Sequence, residues 1–176
     1  MIGSEKNMVL TILLSLAGCA LLFFGIWGVT VTMPTKLLAK NFPEDVQERL
    51  KPRLEEWERH GMSPRRFLGW VILILLCIAY IGLFVIGGLD GMRKGFSFWQ
   101  FFFRFLIIGG VIKAFDIGAL DYYMLTKTYF FQHYFPETEG CAGWQDFGFN
   151  RRQQLGQIVM IPVACALTAW IFTMIG

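Results

Sequence analysis

The sequence predicts an all-α integral membrane protein with four transmembrane helices, and three observations support this fold class. First, the 176-residue chain is only 16% charged, whereas soluble domains carry roughly 25% charged residues. Second, four segments have the roughly 20 apolar residues that a helix needs to cross a bilayer. Third, Lys and Arg are divided unevenly between the connecting loops. We therefore expect one membrane domain over residues 1–176, with spans at about 8–31, 67–87, 98–125 and 154–175.

Local signals mark where the last three spans begin. The second span follows Ser63 and a proline, which is a capping residue before a first-turn proline. The third follows Ser97, which forms a capping box with Gln100. The fourth is expected to begin near Arg151. The first two spans contain no charged residue, and the first is longer than the apolar core of a signal peptide, so we expect it to be retained.

The distribution of basic residues predicts the orientation. Loops 33–66 and 126–153 contain eleven Lys and Arg residues, against three on the opposite side. Because basic residues accumulate in cytoplasmic loops, we expect both of these loops in the cytoplasm. Both termini would then lie outside, and the protein would be a multi-pass protein of a bacterial inner (plasma) membrane.

The first loop is expected to contain an amphipathic helix. Apolar residues recur there at three- and four-residue spacing and form a single stripe, namely Val46, Leu50, Leu54 and Trp57. Such a stripe is typical of a helix with one apolar face. We expect this helix to rest on the membrane surface or to present its stripe to a partner protein.

The third loop, 126–153, is unusually aromatic. Its eight aromatic residues are Tyr129, Phe130, Phe131, Tyr134, Phe135, Trp144, Phe147 and Phe149. Aromatic side chains are enriched at the level of the lipid headgroups. We therefore expect this loop to fold back onto the cytoplasmic interface of the membrane.

The third span contains a charged motif, VIKAFDIGALDYY. Lys113 and Asp116 are three residues apart and share a helix face, whereas Asp121 lies about 140° from Asp116 on an α-helix. A charge within a span costs at least about 2.5–3.5 kcal/mol, so it persists where it is paired or lines a wet cavity. Two hypotheses follow: a structural Lys113–Asp116 pair with Asp121 at the boundary, or a site that binds a ligand or ion or relays protons.

A second polar group lies in the third loop and comprises His133, Glu137, Glu139, Cys141 and Asp146. Histidine and carboxylates are the ligands of open metal sites. However, their spacing matches no metal motif, and a proline separates the histidine from the first glutamate. We therefore predict no metal site. The glutamates would instead form turns and bridge to the basic start of the fourth span, or the loop would bind a headgroup or substrate.

Several classes of function are excluded by what the sequence lacks. Both histidines lie in loops, whereas a membrane cytochrome binds haem through paired histidines within its spans. The chain has no Walker loop, G-x-S-x-G, H-E-x-x-H or dinucleotide fingerprint. The net charge of +3 is too small to suggest nucleic acid. We expect no cofactor; the expected partners are membrane lipids and either a second copy of the chain or another membrane subunit.

The last 65 or so residues contain the pattern F-D-x-x-x-x-D, then a P-x-T-E-G turn, then an aromatic, a polar residue and basic residues that open the last helix. In this the chain resembles a group of small bacterial four-helix integral membrane proteins to which no activity is assigned. The resemblance implies no function. It directs attention to Asp116, Asp121, Glu137, Glu139, Gly140, Asn150 and Arg151.

The leading functional expectation is a membrane protein that handles an ion or small molecule, as a transporter component or a subunit of a membrane complex. Its site would comprise Lys113, Asp116, Asp121 and Arg151. One alternative is a membrane-embedded enzyme that acts on a lipid at the cytoplasmic interface, with the histidine and a glutamate of the third loop as its acid–base or metal-binding groups. A further alternative is a non-catalytic assembly protein that recruits its partner through the apolar stripe of the first loop.

Overall fold

A computed structural model of the chain describes residues 2–32 and 36–176, and these are largely helical with no β-strand among them. In chain order, helices α1 to α7 span Ile2–Thr32, Lys36–Ala39, Glu44–Arg59, Pro64–Arg93, Phe98–Phe115, Phe130–Tyr134 and Arg151–Ile175. A π-helix spans Asp116–Met124, and two 3-10 turns span Pro136–Thr138 and Ala142–Gln145. The start of the predicted first loop, 33–35, lies outside the described residues.

Three of the described helices are long and apolar enough to cross a membrane, namely α1 from Asn7 onward, α4 and α7. They present large apolar side chains on their outer surface; Ile81 is 66% exposed and Val159 is 67% exposed. A contiguous apolar surface of this kind is unfavourable in water and suits a lipid environment. The chain is therefore a helical protein with the character of a multi-pass membrane protein.

The predicted helix starts are confirmed by local hydrogen bonds. Helix α4 begins directly after Ser63, whose Oγ accepts a hydrogen bond from the Arg66 N–H at 3.2 Å. Helix α5 begins directly after Ser97, whose N–H donates to Gln100 Oε1 at 2.8 Å in a capping box. Helix α7 begins at Arg151.

The third predicted span is built differently from the other three. Its α-helical part, α5, ends at Phe115, and the π-helix continues the chain to Met124. Hydrogen bonds in a π-helix join residues five apart, so the α-helical angle predicted between Asp116 and Asp121 does not apply there. Helix α5 also buries two charged residues, Arg104 and Lys113.

The connection expected between the second and third spans, residues 88–97, begins as helix, which corrects the sequence-based expectation. Helix α4 continues through it to Arg93. The chain then turns at Gly95, whose φ of 63° is a conformation that favours glycine. Asp90 therefore lies on the last turn of α4 instead of in a loop.

The chain divides into two compact units. Unit 1 comprises the residues up to Leu22 together with Cys77–Asp116 and Arg152–Gly176. Unit 2 comprises Phe23–Leu76 and Ile117–Arg151. The single domain predicted from the sequence stays a prediction.

Unit 1 has an aromatic core formed by α5 and α7. The ring of Phe101 stacks on those of Phe105 and Phe172, with centroids 6.2 Å and 5.9 Å apart. Cys165 and Ala169 of α7 are buried in the same cluster. This core fixes α5 against α7 and so positions the polar side chains that α5 carries.

In unit 2, the predicted stripe of α3 is buried within the protein. Val46, Leu50 and Leu54 are all buried, and α3 contacts the two 3-10 turns of the third loop. The helix thus occurs where the sequence predicts it, but three of the four stripe residues pack inside the unit. The sequence led us to expect that these residues face a membrane surface or a partner protein. In the structure they do not, because the third loop covers them.

The aromatic residues of the third loop form much of this second core. The ring of Phe42 contacts those of Phe131, Phe135 and Trp144, with centroids 4.9, 5.9 and 5.1 Å away. All four residues are buried, whereas Tyr129 is 78% exposed. Packing within unit 2 therefore accounts for three of the eight aromatic residues of the loop, Phe131, Phe135 and Trp144.

Close backbone approach at Gly143 joins the third loop to the start of α3. The N–H of Gly143 donates to Asp45 Oδ2 at 2.9 Å. A Cβ at Gly143 would lie 2.2 Å from Asp45 Oδ1 and 2.4 Å from Pro43 Cβ. Gly143→Ala should therefore break this contact, lower the stability of unit 2 by about 1–3 kcal/mol and speed amide hydrogen exchange in the third loop.

The matched control for that substitution is Gly148→Ala. A Cβ at Gly148 would lie 3.4 Å from Asp146 Oδ1, which is close to ordinary contact. Amide hydrogen exchange in the third loop of the Gly148→Ala variant should stay near that of the unchanged protein. Equal exchange in the two variants would contradict the proposed role of the Gly143 contact.

Candidate functional site

Unit 1 contains a group of three hydrogen-bonded polar side chains, Lys113, Asp116 and Gln157, of which Lys113 is buried, Asp116 half-buried and Gln157 exposed. Lys113 Nζ donates to Asp116 Oδ2 at 2.7 Å and also to Gln157 Oε1 of α7. The Lys113 side chain is 10% exposed and that of Asp116 is 24% exposed. The contact expected from the three-residue spacing is thus present, and the structure adds an amide acceptor that the spacing alone did not identify.

This arrangement leaves one side of the group open. Lys113 has two acceptors, so its buried ammonium is well compensated. In the described part of the chain, Asp116 accepts from Lys113 through Oδ2 only, and its carboxylate is partly exposed. An ionised carboxylate has about four acceptor positions. Asp116 is therefore the member of the group with capacity for a further donor, a cation or a proton.

A second charged group, which the sequence analysis did not identify, joins the last turns of α4 to the second turn of α5. Arg104 Nη1 donates to Asp90 Oδ2 and to the Gly87 carbonyl oxygen, both at 2.8 Å. The guanidinium lies over the ring of Phe96, 4.4 Å from its centroid. Lys94 Nζ also donates to Asp90 Oδ2, at 2.9 Å. Arg104 is thus held by a carboxylate, a carbonyl and an aromatic face.

The sequence did contain a signal for this group. Arg104 is an isolated charge in the apolar run FFFRFLII, and an ionisable residue inside a span calls for a named partner. The partner, Asp90, falls in the connection expected between the second and third spans, 88–97, and so was not recognised as a helical residue. Arg104 and Lys113 are nine residues apart on α5, or about 14 Å at 1.5 Å per residue, so the two groups are separate.

Asp121 and Arg151, predicted to complete the site, lie in unit 2. Asn150 Nδ2 donates to Asp121 Oδ2 at 2.9 Å. Asp121 therefore contacts the residue immediately before α7, while the Arg151 side chain is exposed. The described hydrogen bond ties the π-helix to the loop that leads into α7.

The acidic residues of the third loop are engaged differently from the prediction. Glu137 accepts from Arg53 Nη1 of α3 through both oxygens, at 2.9 and 3.0 Å, instead of bridging to the start of the fourth span. Glu139 and His133 are exposed, and the imidazole lies edge-on to Tyr134 with ring centroids 5.1 Å apart. Across residues 36–176, no hydrogen bond or ion pair joins His133 to either glutamate.

The other two polar residues predicted in this loop, Asp146 and Cys141, do not form a reactive or metal-binding arrangement in the described chain. Asp146 Oδ1 accepts from the Gly148 N–H at 2.9 Å and so stabilises a turn. Burial and the nearby Asp45 carboxylate raise the pKa of the Cys141 thiol, which disfavours the nucleophilic thiolate form. Within the described residues, no group of three His, Cys, Asp or Glu side chains is arranged to hold a metal ion.

Comparison of the chain with known protein families, curated proteins and solved structures gives no match. The resemblance to small bacterial four-helix membrane proteins thus stays an expectation.

Proposed function

We propose that this protein handles an ion or small molecule within a membrane, as a transporter component or as a subunit of a membrane complex. The observation that carries the proposal is the Lys113–Asp116–Gln157 group, which lies in the same unit as large parts of three helices apolar enough to span a bilayer. Ionisable residues at such positions are expensive and mark functional pathways by default.

The proposal gives each member of the group a role. Asp116 would accept the cation or proton through its open carboxylate oxygen. Lys113 would balance charge, so that the group is not left as an isolated anion when it is empty. Gln157 would hold the lysine in place through its amide oxygen. The π-helix that begins at Asp116 supports this assignment, since short π-helical segments frequently occur at functional sites.

We further propose that residues 98–125 form a fourth span, with both termini outside and the protein in the inner membrane of a bacterium. Helix α5 has 18 residues, or about 27 Å at 1.5 Å per residue, and the π-helix extends it. Together these elements are longer than the roughly 30 Å hydrocarbon core and so are long enough to cross it. The excess of basic residues in the first and third loops supports the orientation.

Two variants test the proposed role of the group in cells. Asp116→Asn and the double variant Lys113→Met/Asp116→Asn should fail to restore the phenotype of a deletion strain, although both reach the membrane fraction in normal amounts. Asp146→Asn, which removes an exposed carboxylate of the third loop, should restore it. Full restoration by the double variant would refute the proposal.

The alternative of an interfacial lipid enzyme has weaker support. Its expected acid–base groups are not assembled, because Glu137 is held by Arg53 and His133 is hydrogen-bonded to neither glutamate. A stoichiometric transition metal in the purified protein, lost on His133→Ala, would reverse this preference. The assembly-protein alternative loses its expected docking face because the stripe of α3 is buried.

A further inference from the structure

Unit 2 contains a cavity of about 420 Å³ at the first turn of α4. Its lining is rich in arginine and includes only one acidic residue; the charged, imidazole and indole side chains that line it are Arg53, Glu56, Trp57, His60, Arg65 and Arg66. A cavity of this size is within the range of small-ligand sites. Its charge indicates an anionic ligand.

The arginines of this cavity are not neutralised equally. Arg53 forms an ion pair with Glu137 at 2.9 Å. Within the described residues, neither Arg65 nor Arg66 has a carboxylate within ion-pair distance. The cavity therefore retains two guanidinium groups, one exposed and one half-buried, whose charge no carboxylate of the described chain pairs with.

Backbone carbonyls hold these two guanidinium groups in place. Arg65 Nη2 donates to the Val31 carbonyl oxygen at 2.6 Å. Arg66 Nη1 donates to the carbonyl oxygens of Gly61 at 3.1 Å and Trp57 at 3.3 Å. Arg66 Nε is buried and has no hydrogen-bond acceptor in the described chain. Each side chain is thus oriented by a neutral contact and keeps N–H donors available for a ligand.

The position of the cavity indicates the level of the membrane at which it lies. Val31 is in the last turn of α1, and Arg65 is in the first turn of α4. Both helices are candidate membrane spans; α1 ends and α4 begins at this point. On the proposed topology, the hydrogen bond between Arg65 and Val31 lies where two spans leave the hydrocarbon core, at the depth of the lipid phosphates.

We infer that this cavity binds a phosphoryl group, with Arg65 and Arg66 as its ligands. The planar guanidinium matches two oxygens of a phosphate and binds it with charge-assisted hydrogen bonds. Basic pockets at the cytoplasmic ends of spans suit anionic headgroups. The same chemistry would serve the headgroup of an anionic phospholipid or a free phosphate ester, and the location favours the lipid. The inference is independent of the Lys113 group.

The test uses the full-length protein purified in mild detergent, with bound lipid counted by native mass spectrometry. The probes are phosphatidylglycerol, which is anionic, and phosphatidylcholine, which has a phosphate but no net charge. Inorganic phosphate, titrated by calorimetry, represents the free source. Arg65→Gln/Arg66→Gln is compared with Lys51→Gln/Arg59→Gln, which removes the same charge from exposed positions of the same loop outside the cavity.

The expected result is a loss of about tenfold in phosphatidylglycerol affinity for the Arg65/Arg66 variant and less than about twofold for the control. Phosphatidylcholine retention should be equal in all proteins. Binding of inorganic phosphate that is lost in the same variant would support the site and identify a free phosphate as its ligand. Equal losses in the two double variants, or no loss in either, would overturn the inference.

A conservative double variant tests the inference even if Arg65→Gln/Arg66→Gln fails to fold. Arg65→Lys/Arg66→Lys keeps the charge but removes the two-pronged geometry. Its preference for phosphatidylglycerol over phosphatidylcholine should fall several-fold even where its thermal unfolding is unchanged. An undiminished preference would show that positive charge alone attracts the lipid, and it would also overturn the inference.

Discussion

Replacing Lys113 with methionine should lower the free energy of unfolding by about 2–4 kcal/mol, because it leaves the half-buried Asp116 carboxylate without its cation. The Lys113 side chain is only 10% exposed and contacts Asp116 at 2.7 Å. Gln157 would lose its donor in the same variant. The measurement is thermal or denaturant-induced unfolding of the purified protein in detergent.

The double variant Lys113→Met/Asp116→Asn should unfold within about 1 kcal/mol of the unchanged protein, since it removes both charges together. This contrast separates stability from function. A double variant that is stable yet inactive in cells would indicate that the charges serve function, as proposed. A double variant as unstable as Lys113→Met would contradict the interpretation that the unpaired Asp116 causes the loss.

Replacing Arg104 with methionine should lower the free energy of unfolding by about 2–4 kcal/mol, since it removes the buried cation of an ion pair. Arg104 contacts Asp90 and the Gly87 carbonyl oxygen at 2.8 Å, and its side chain is 3% exposed. The contact with the Phe96 ring would be lost as well. Unfolding in detergent, followed by helical circular dichroism, measures the effect.

Lys94→Met is the matched control, because Lys94 donates to the same oxygen of Asp90. Its side chain is 35% exposed, and an ion pair at such a position contributes at most about 1 kcal/mol. Lys94→Met should therefore be much milder than Arg104→Met, and its effect should shrink further at high salt. Equal losses in the two variants would show that burial of Arg104 does not determine its contribution.

The two charged groups of unit 1 differ in a way that bears on function. Arg104 is held by a carboxylate, a carbonyl and a ring, so its contacts are explained by stability. The two carboxylates are equally exposed, but Asp90 accepts from two cationic side chains, whereas Asp116 accepts from Lys113 alone among the described residues and begins a π-helix. This difference is the reason to assign the functional role to Asp116 and a structural role to Arg104.

Short-range patterns in the sequence were sufficient for the helical elements. The capping box at Ser97, the helix start after Ser63 and the contact between Lys113 and Asp116 all join residues at most three positions apart. Helix geometry fixes such neighbours whatever the rest of the chain does. The candidate spans depend on length and apolar composition alone, and three of the four predicted were found in α1, α4 and α7.

The partners that complete each polar group were decided by the tertiary structure. Gln157 is 44 residues from Lys113, and Glu137 is 84 residues from Arg53. Such pairs depend on which faces of the elements meet. From the sequence alone, many other polar residues could equally have been the partners of Lys113 and Arg53. The stripe of α3 shows the same limit, since amphipathic spacing identifies an apolar face but not what covers it.

The sequence by itself therefore determined the helical membrane class, the helix starts and the Lys113–Asp116 contact, because these depend on neighbours along one helix. Only the tertiary structure decided that Asp90 belongs to a helix and holds Arg104, that α3 packs on the third loop, and that two arginines with no carboxylate partner in the described chain line a cavity at the start of α4. The physical reason is that each of these contacts joins segments whose relative placement depends on packing between elements, which no periodicity within a single element records.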